Sequence, residues 1–308
     1  MEKIALWVST FFYLFSFCST LLALRAKQLR PGRFSFIAIF LGVVSQSWFL
    51  ILRGKDLHAC PTTTLPEMLI FLSWVIGWFY LLIGSTYRVS LMGVFTAPLI
   101  LILQSIGCLL LVPIISIRHT LNPWIEAHAA LSLVAFGALG LASVSALMFL
   151  FQEAQLKSQA PAPIFHFLPP MQLLEITTAR LLWLGLGLLT ISFIAGAFSG
   201  ISISRISPTS QIQDSDLSQY TYSQNNLSNR LMEHTPHDFK NHFETKSLRN
   251  IIYSNPRSRV KFWLSLLLWG SYGLLGIAQQ GRHLSAHRFA QGMTFIFLFA
   301  LGILFWLS

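Results

Sequence analysis

The chain has 308 residues, of which 54% are hydrophobic and only 10% charged, with a net charge of +10. A soluble domain carries about a quarter charged residues, so this chain lacks the charge to cover a water-facing surface of its size. That excludes an ordinary cytosolic enzyme, a disulfide-stapled secreted scaffold and a disordered protein, and leaves a chain that crosses a membrane several times. The excess of Lys and Arg lies in short loops between apolar runs, where it orients helices and meets anionic lipid headgroups; nucleic acid is not an expected partner. Cys18, Cys60 and Cys108 form no CxxC pair, so neither a thiol redox motif nor a zinc site is indicated. Cys18 and Cys108 fall inside apolar runs and read as packing residues, Cys60 as an exposed one.

A spanning helix takes about 20 apolar residues. Eight runs meet that need in chain order: Ile4 to Leu24, Phe34 to Leu52, Met68 to Gly84, Leu91 to Ile117 (with a kink expected at Pro98), Ala127 to Phe151, Leu181 to Ser204, Phe262 to Gln279 and Phe289 to Ser308. The first is too long for a signal-peptide core and has no small-x-small cleavage site, so it reads as a retained helix. The expected fold is an all-α membrane protein of about eight transmembrane helices forming one polytopic domain over residues 1–308. The odd-numbered loops carry Arg25, Lys27, Arg30, Arg33, Arg88, Lys157, Arg180, Arg282 and Arg288. The short even-numbered loops carry only Arg53, Lys55 and Arg118. Positive charge in short loops marks the cytoplasmic side, which places both termini outside. The sixth loop differs from everything else: SQIQDSDLSQYTYSQNNLSN cannot bury a core, and 206–256 reads as a long, flexible, polar external insertion. The fifth, with APAP and LPP, reads as a stiffer Pro-rich connector.

Polar residues at membrane depth are costly and often functional. His128 opens the fifth span, in NPWIEAHAALSLVAFGALG. It heads a helix dense in small residues, with Leu131, Ser132, Ala135 and Ala138 on its own face. Such a face lets another helix or a flat ligand approach closely. A neutral imidazole there is suited to ligating haem iron; on residue types alone the commoner role is an interfacial His bonded to a loop carbonyl beside a helix seam. Glu67 opens the third span, where a carboxylate also suits a helix N-terminus. His58 and His119 lie in loops on the same side. Trp74 and Trp78 share one face of the third span, either walling a ligand groove or packing toward lipid; Trp124 fits the interfacial belt. His234, His237 and His242 in the sixth loop match no recognised metal-ligand spacing. No P-loop, GxGxxG, HExxH or GxSxG stands in the right context, and the expected role is not enzymatic.

Four stretches, in order, resemble the cytochrome c assembly family of membrane proteins, which includes the haem-handling CcsA proteins and the shorter HemX-like proteins. ACPTTTLPEMLIFLSWVIGWFYLLIG is similar to the family's P-x-x-x-x-x-E-x-x-x-F-x-x-W segment. LNPWIEAHAALSLVAFGALGLASVSALMFLFQEAQLK resembles the helix that begins with His and ends in L-x-Q-E-x-x-L-K. LPPMQLLEITTARLLWLGLGLLTISFIAGAFSG resembles the L-P-x-x-x-x-L-E connector and its following span. KFWLSLLLWGSYGLLG resembles the K-T-x-L-S-L-x-x-W start of the penultimate helix. Together they cover most of the chain from Cys60 to Gly276. The chain departs from the haem-handling members in three places. The tryptophan-rich stretch ending in W-D-P-K-E is absent, Val260 stands where a His often precedes the penultimate helix, and Phe136 replaces a Tyr. These departures place it nearer the HemX-like branch.

The resemblance implies a haem-associated factor for c-type cytochrome assembly in the plasma (inner) membrane of a bacterium, holding or passing haem at the outer face. Haem is the implied cofactor, with His128 as its ligand and no residue assigned as a second one. The implied partners are a cytochrome c maturation or haem-biosynthesis protein and, indirectly, apocytochrome c. A regulatory scaffold controlling haem biosynthesis through a partner is the alternative. A small-molecule transporter ranks after both, since transporters show broken helices and paired ionisable residues at mid-membrane.

Overall fold

The structure, a computed structural model, describes residues 2–25, 32–57, 59–62, 64–87, 92–111, 123–157, 170–205, 256–281 and 284–307. Among them, all regular structure is helical. Eight α-helices follow one another: α1 (Glu2–Arg25), α2 (Gly32–Leu57), α3 (Leu65–Tyr87), α4 (Met92–Leu110), α5 (Pro123–Lys157), α6 (Met171–Arg205), α7 (Pro256–Gln280) and α8 (Ala286–Leu307). Six of these, α1, α2, α3, α5, α6 and α8, are long and apolar enough to cross a membrane. The apolar stretch of α4, Phe95–Leu110, is shorter; the remainder of the expected fourth run lies outside the described residues. In α7, Arg257, Arg259 and Lys261 precede the apolar part. The chain is an integral membrane protein built of α-helices.

The helices run past the apolar runs that announce them. α5 starts at Pro123 and ends at Lys157, and α6 starts at Met171. Hydropathy stops at Glu126, Glu153 and Lys157, but backbone hydrogen bonding does not, because Glu and Lys are good helix formers. Pro123 suits a first helical position, where its missing N–H costs nothing. At the start of α6 the Pro170 carbonyl accepts the N–H groups of Leu173 and Leu174 at 2.9 and 3.3 Å. At the start of α3, Glu67, three residues after Thr64, accepts the Thr64 N–H at 3.3 Å, as the acidic residue of a capping box does.

α5 is the central helix. In its most apolar stretch 78% of residues are buried, against 33% for α6 and 28% for α1 and α8. Lipid tails are as apolar as leucine, so helices associate by close packing rather than by hydrophobic exclusion. α5 achieves that with small residues. A methyl on Gly137 would collide with Val75 of α3, and one on Gly140 would lie 2.9 Å from Phe297 of α8. A methyl on Gly185 of α6 would lie 2.7 Å from Leu139.

Within α1–α4 the core holds a closed network of amides and hydroxyls. Tyr13 donates to Gln46 Oε1 at 2.5 Å. Gln46 Nε2 faces the Ile70 carbonyl at 2.7 Å, Ser73 Oγ at 2.8 Å and Gln104 Oε1 at 2.7 Å. Gln104 Nε2 donates to Ser9 Oγ at 3.0 Å. Tyr13, Gln46, Ser73, Gln104 and Ser9 are all buried. The spans are nearly free of charge, as their composition indicates, but they are not free of polar groups.

Residues Met1–Ala197 and Leu264–Ser308 form one compact unit. The second, Phe198–Trp263, is described only where α6 ends and α7 begins. The expected insertion, the Pro-rich connector, His58 and His119 lie outside the described residues, as do His234, His237 and His242.

Candidate functional site

His128 sits in the second turn of α5, facing the far half of α6. Its Nδ1 lies 2.7 Å from the main-chain carbonyl of Ser192 and 2.9 Å from Ser192 Oγ. A carbonyl oxygen only accepts, so Nδ1 carries the proton. In the neutral ring Nε2 is then the lone-pair nitrogen, and it makes no hydrogen bond among the described residues. The Ser192 hydroxyl donates back to the His128 carbonyl at 2.9 Å and meets Ser132 Oγ at 2.6 Å. Ring, two hydroxyls and two carbonyls thus form one small lattice joining α5 to α6. The sequence reading offered a carbonyl partner for His128; the partner is a carbonyl on a helix rather than in a loop.

Spacing explains the fit. His128 and Ser132 are four apart on α5, and Ser192 and Gly196 four apart on α6, so each pair shares a helix face. A methyl built on Gly196 would stand 3.0 Å from His128 Nδ1 and 3.3 Å from Cε1. A side chain at Gly196 would crowd the ring, so glycine eases the close pass of α6. Beside the ring lies a cleft of about 60 Å³, walled by Phe136, Leu189, Phe193 and Leu268, with Ser132, Ser192 and Ser265 as its serines. α7 closes one side, held to α6 by the Trp269 Nε1 bond to Thr190 at 3.0 Å and by the edge-on packing of Trp269 on Phe193.

The donor set suits haem iron. Metal-ligating histidines donate their other ring N–H to a carbonyl or carboxylate, which fixes the tautomer; here the Ser192 carbonyl does so. The volume suits only the tip of a ligand, since pockets that enclose small molecules measure about 300–1,000 Å³.

Glu67, Trp74 and Trp78 stand apart from this cleft. Glu67 is buried in an ion pair with Arg53, with Nε and Nη2 both 3.1 Å from Oε1. The even-loop arginine of the sequence is thus a buried residue in the last turns of α2. Trp74 donates to Ser47 of α2 at 2.8 Å. Trp78 packs edge-on against Trp74, with ring centroids 6.4 Å apart, and its outer edge is exposed. Trp124 is exposed at the start of α5. Cys60 is half-buried rather than exposed; its N–H donates to Glu126 at 3.2 Å. Burial pushes the Cys60 thiol up, and the Glu126 and Glu67 carboxylates add to this against the Thr62 hydrogen bond, so it stays a thiol at neutral pH. Cys18 is exposed on its helix instead of packed.

At the opposite end of α5, Glu153 pairs with Lys157 at 2.7 Å and with His287 of α8 at 2.5 Å. Nearby, Gln279 of α7 donates to Glu175 of α6 at 2.8 Å. Among the described residues, no three His, Cys, Asp or Glu gather as a metal site.

Residues 62–199 match the family described as Cytochrome C assembly protein. The chain is 29% identical to Protein HemX of Brevibacillus brevis, over 56% of this chain and 64% of that protein. It is 27% identical to Cytochrome c biogenesis protein CcsA of Synechococcus sp. (strain JA-2-3B'a(2-13)), over 48% of this chain and 59% of that protein. To the CcsA of the same description from Mesostigma viride it is 26% identical, over 33% and 35%. The chain spans less than two thirds of the length of each of these relatives. No solved structure matches it. The matched stretch contains both sides of the lattice, His128 on α5 and Ser192 with Gly196 on α6, and over it the chain is similar to the cytochrome c assembly proteins.

Proposed function

We propose that this protein holds or passes haem during the assembly of c-type cytochromes, and that His128 would hold its iron. One observation carries the reading. His128 is fixed through Nδ1 to the Ser192 carbonyl, its Nε2 makes no hydrogen bond among the described residues, and the residue lines a cleft. Haem, when bound, supplies the redox-active iron that a c-type cytochrome needs. The chain's own residues orient the imidazole, present one lone pair and line the approach with Phe136, Phe193 and Leu268. In this reading the protein makes no covalent bond itself, and a partner completes attachment to apocytochrome c. In this reading the protein sits in a bacterial inner membrane, and the positive loops of the sequence favour both termini and His128 at its outer face. Cysteines placed in the 206–256 loop are then labelled from outside intact cells, and cysteines in the 25–33 loop are not.

The visible spectrum of the detergent-purified protein tests the proposal. A Soret band is expected; His128→Ala removes or shifts it and lowers c-type cytochrome levels, and added imidazole partly restores it by supplying the missing nitrogen. A normal haem spectrum in His128→Ala refutes the ligand assignment. The narrowness of the cleft favours a second reading, a scaffold that controls haem biosynthesis through a partner. That protein shows no Soret band at all, and its loss alters haem levels before it alters cytochrome attachment.

A further inference from the structure

The lattice on α6 does more than fill space between two helices. A histidine free to choose its tautomer offers either nitrogen, and in water the two forms differ little in energy. Here one nitrogen faces the Ser192 oxygens at 2.7 and 2.9 Å, and the nearer oxygen can only accept. Ser192 itself is buried, and its hydroxyl is held in turn by the His128 carbonyl and by Ser132. The acceptor therefore cannot swing away from the ring. Gly196, one turn on, lets the backbone of α6 approach the same ring closely, which keeps the Ser192 carbonyl within reach of Nδ1.

We propose that Ser192 is a positioning residue: its main-chain carbonyl, held in place by the Ser132–Ser192–His128 lattice with Gly196 behind the ring, commits His128 to donate through Nδ1 and to ligate through Nε2. This rests on the assignment of His128 as a haem ligand. It adds a consequence: a carbonyl taking the Nδ1 proton raises the donor strength of Nε2 and so lowers the reduction potential of an iron bound there.

The test separates the two claims. The first measurement uses the haem-free full-length protein, labelled with ¹⁵N-histidine, with the His128 signals identified by their loss in His128→Ala. The expected state is the Nδ1–H tautomer at pH values where the ring is neutral. An Nε2–H ring, or a mixture of the two, overturns the positioning role whether or not the protein binds haem. The second measurement uses the haem-loaded protein. Phenyllactic acid in place of Phe193 turns the Ser192 carbonyl into an ester carbonyl, a weaker acceptor, without changing any side chain. The reduction potential is expected to shift to more positive values. Ser192→Ala, which removes only the hydroxyl, shifts it less in the same direction, and Ser192→Thr restores it. A merely structural role lowers haem occupancy without moving the potential of the haem that remains, and that result also overturns the proposal. Absence of haem from the wild-type protein refutes the ligand assignment alone and leaves the tautomer measurement to decide on Ser192.

Discussion

Two of the polar clusters between these apolar helices are finished to different degrees. The one in α1–α4 is closed. Gln46 and Gln104 exchange bonds with each other and with Tyr13, Ser73 and Ser9, and each side-chain amide group is used. The one between α5 and α6 is open: Nδ1 of His128 is engaged twice, while Nε2 makes no hydrogen bond among the described residues and lies beside a cleft. A closed network contributes to holding helices in register, since its alternative is an unsatisfied group in hydrocarbon. An open one holds a group ready for something else. The same chemistry, hydroxyls and amides at helix interfaces, thus serves packing in one half and, in the proposed reading, presentation in the other.

The contrast predicts that substitutions in the closed region cost stability and those in the open one cost haem binding. The largest stability loss is expected where α2 ends and α3 begins. Glu67→Ala removes the carboxylate that faces the buried Arg53, a change that costs about 3–5 kcal/mol when one partner of a buried pair is deleted. Thermal unfolding in detergent measures it; a loss under about 1 kcal/mol means the pair is wetter than its burial implies. Next comes Gln46→Leu. It deletes several interhelical bonds, each worth about 0.6 kcal/mol on average within a membrane protein and up to about 1.7, so about 2 kcal/mol is expected. The haem spectrum per folded molecule should not change, because Gln46 lies on α2, away from the cleft. If the Soret band moves while the protein stays folded, the division between the two clusters fails.

What the sequence made legible follows from averaging. Helices are read from windows of about 20 residues, so the eight apolar runs and the α-helical membrane fold were visible at once. Single amides vanish in such windows: Gln46 and Gln104 each sit within strongly apolar stretches and left no trace in the hydropathy. Arg53 was legible as positive charge near a loop, but its burial against Glu67 depends on where α3 begins. His128 stood out because imidazole is rare at a span's mouth. Its partner did not, since Ser192 lies 64 residues away and only the fold brings it near. A signal was present in the small residues Ser192 and Gly196, spaced four apart on α6 and matching His128 and Ser132 on α5. Nothing but the packed structure says that these two faces meet.

In the open cluster the balance reverses. His128→Ala removes two contacts to Ser192 but leaves the Ser132–Ser192 bond in place, and the ring is only part-buried. About 1 kcal/mol of stability is expected to go, against complete loss of the His-ligated spectrum. Gly196→Val tests the same point from α6. Its side chain must displace the imidazole, so the spectrum changes more than the unfolding temperature does. A large drop in stability with an unaltered spectrum assigns the lattice to packing and removes the distinction from the closed cluster.

The smallest effect belongs to Trp74, which decides whether the tryptophan pair of α3 belongs with the closed region or with the ligand. Trp74→Phe keeps an aromatic ring against Phe71 and Trp78 and removes only the bond from Nε1 to Ser47 of α2. One such bond within a membrane protein is worth about 0.6 kcal/mol, partly recovered because the Ser47 hydroxyl still donates to the Val43 carbonyl at 2.8 Å. The unfolding temperature should fall slightly and the haem spectrum should stay as it is. Trp78→Phe alters a side chain exposed at its outer edge and is expected to do less still. If Trp74→Phe instead shifts the Soret band while stability holds, the two tryptophans wall a ligand groove, and the boundary between packing and presentation runs through α3 rather than between α3 and α5.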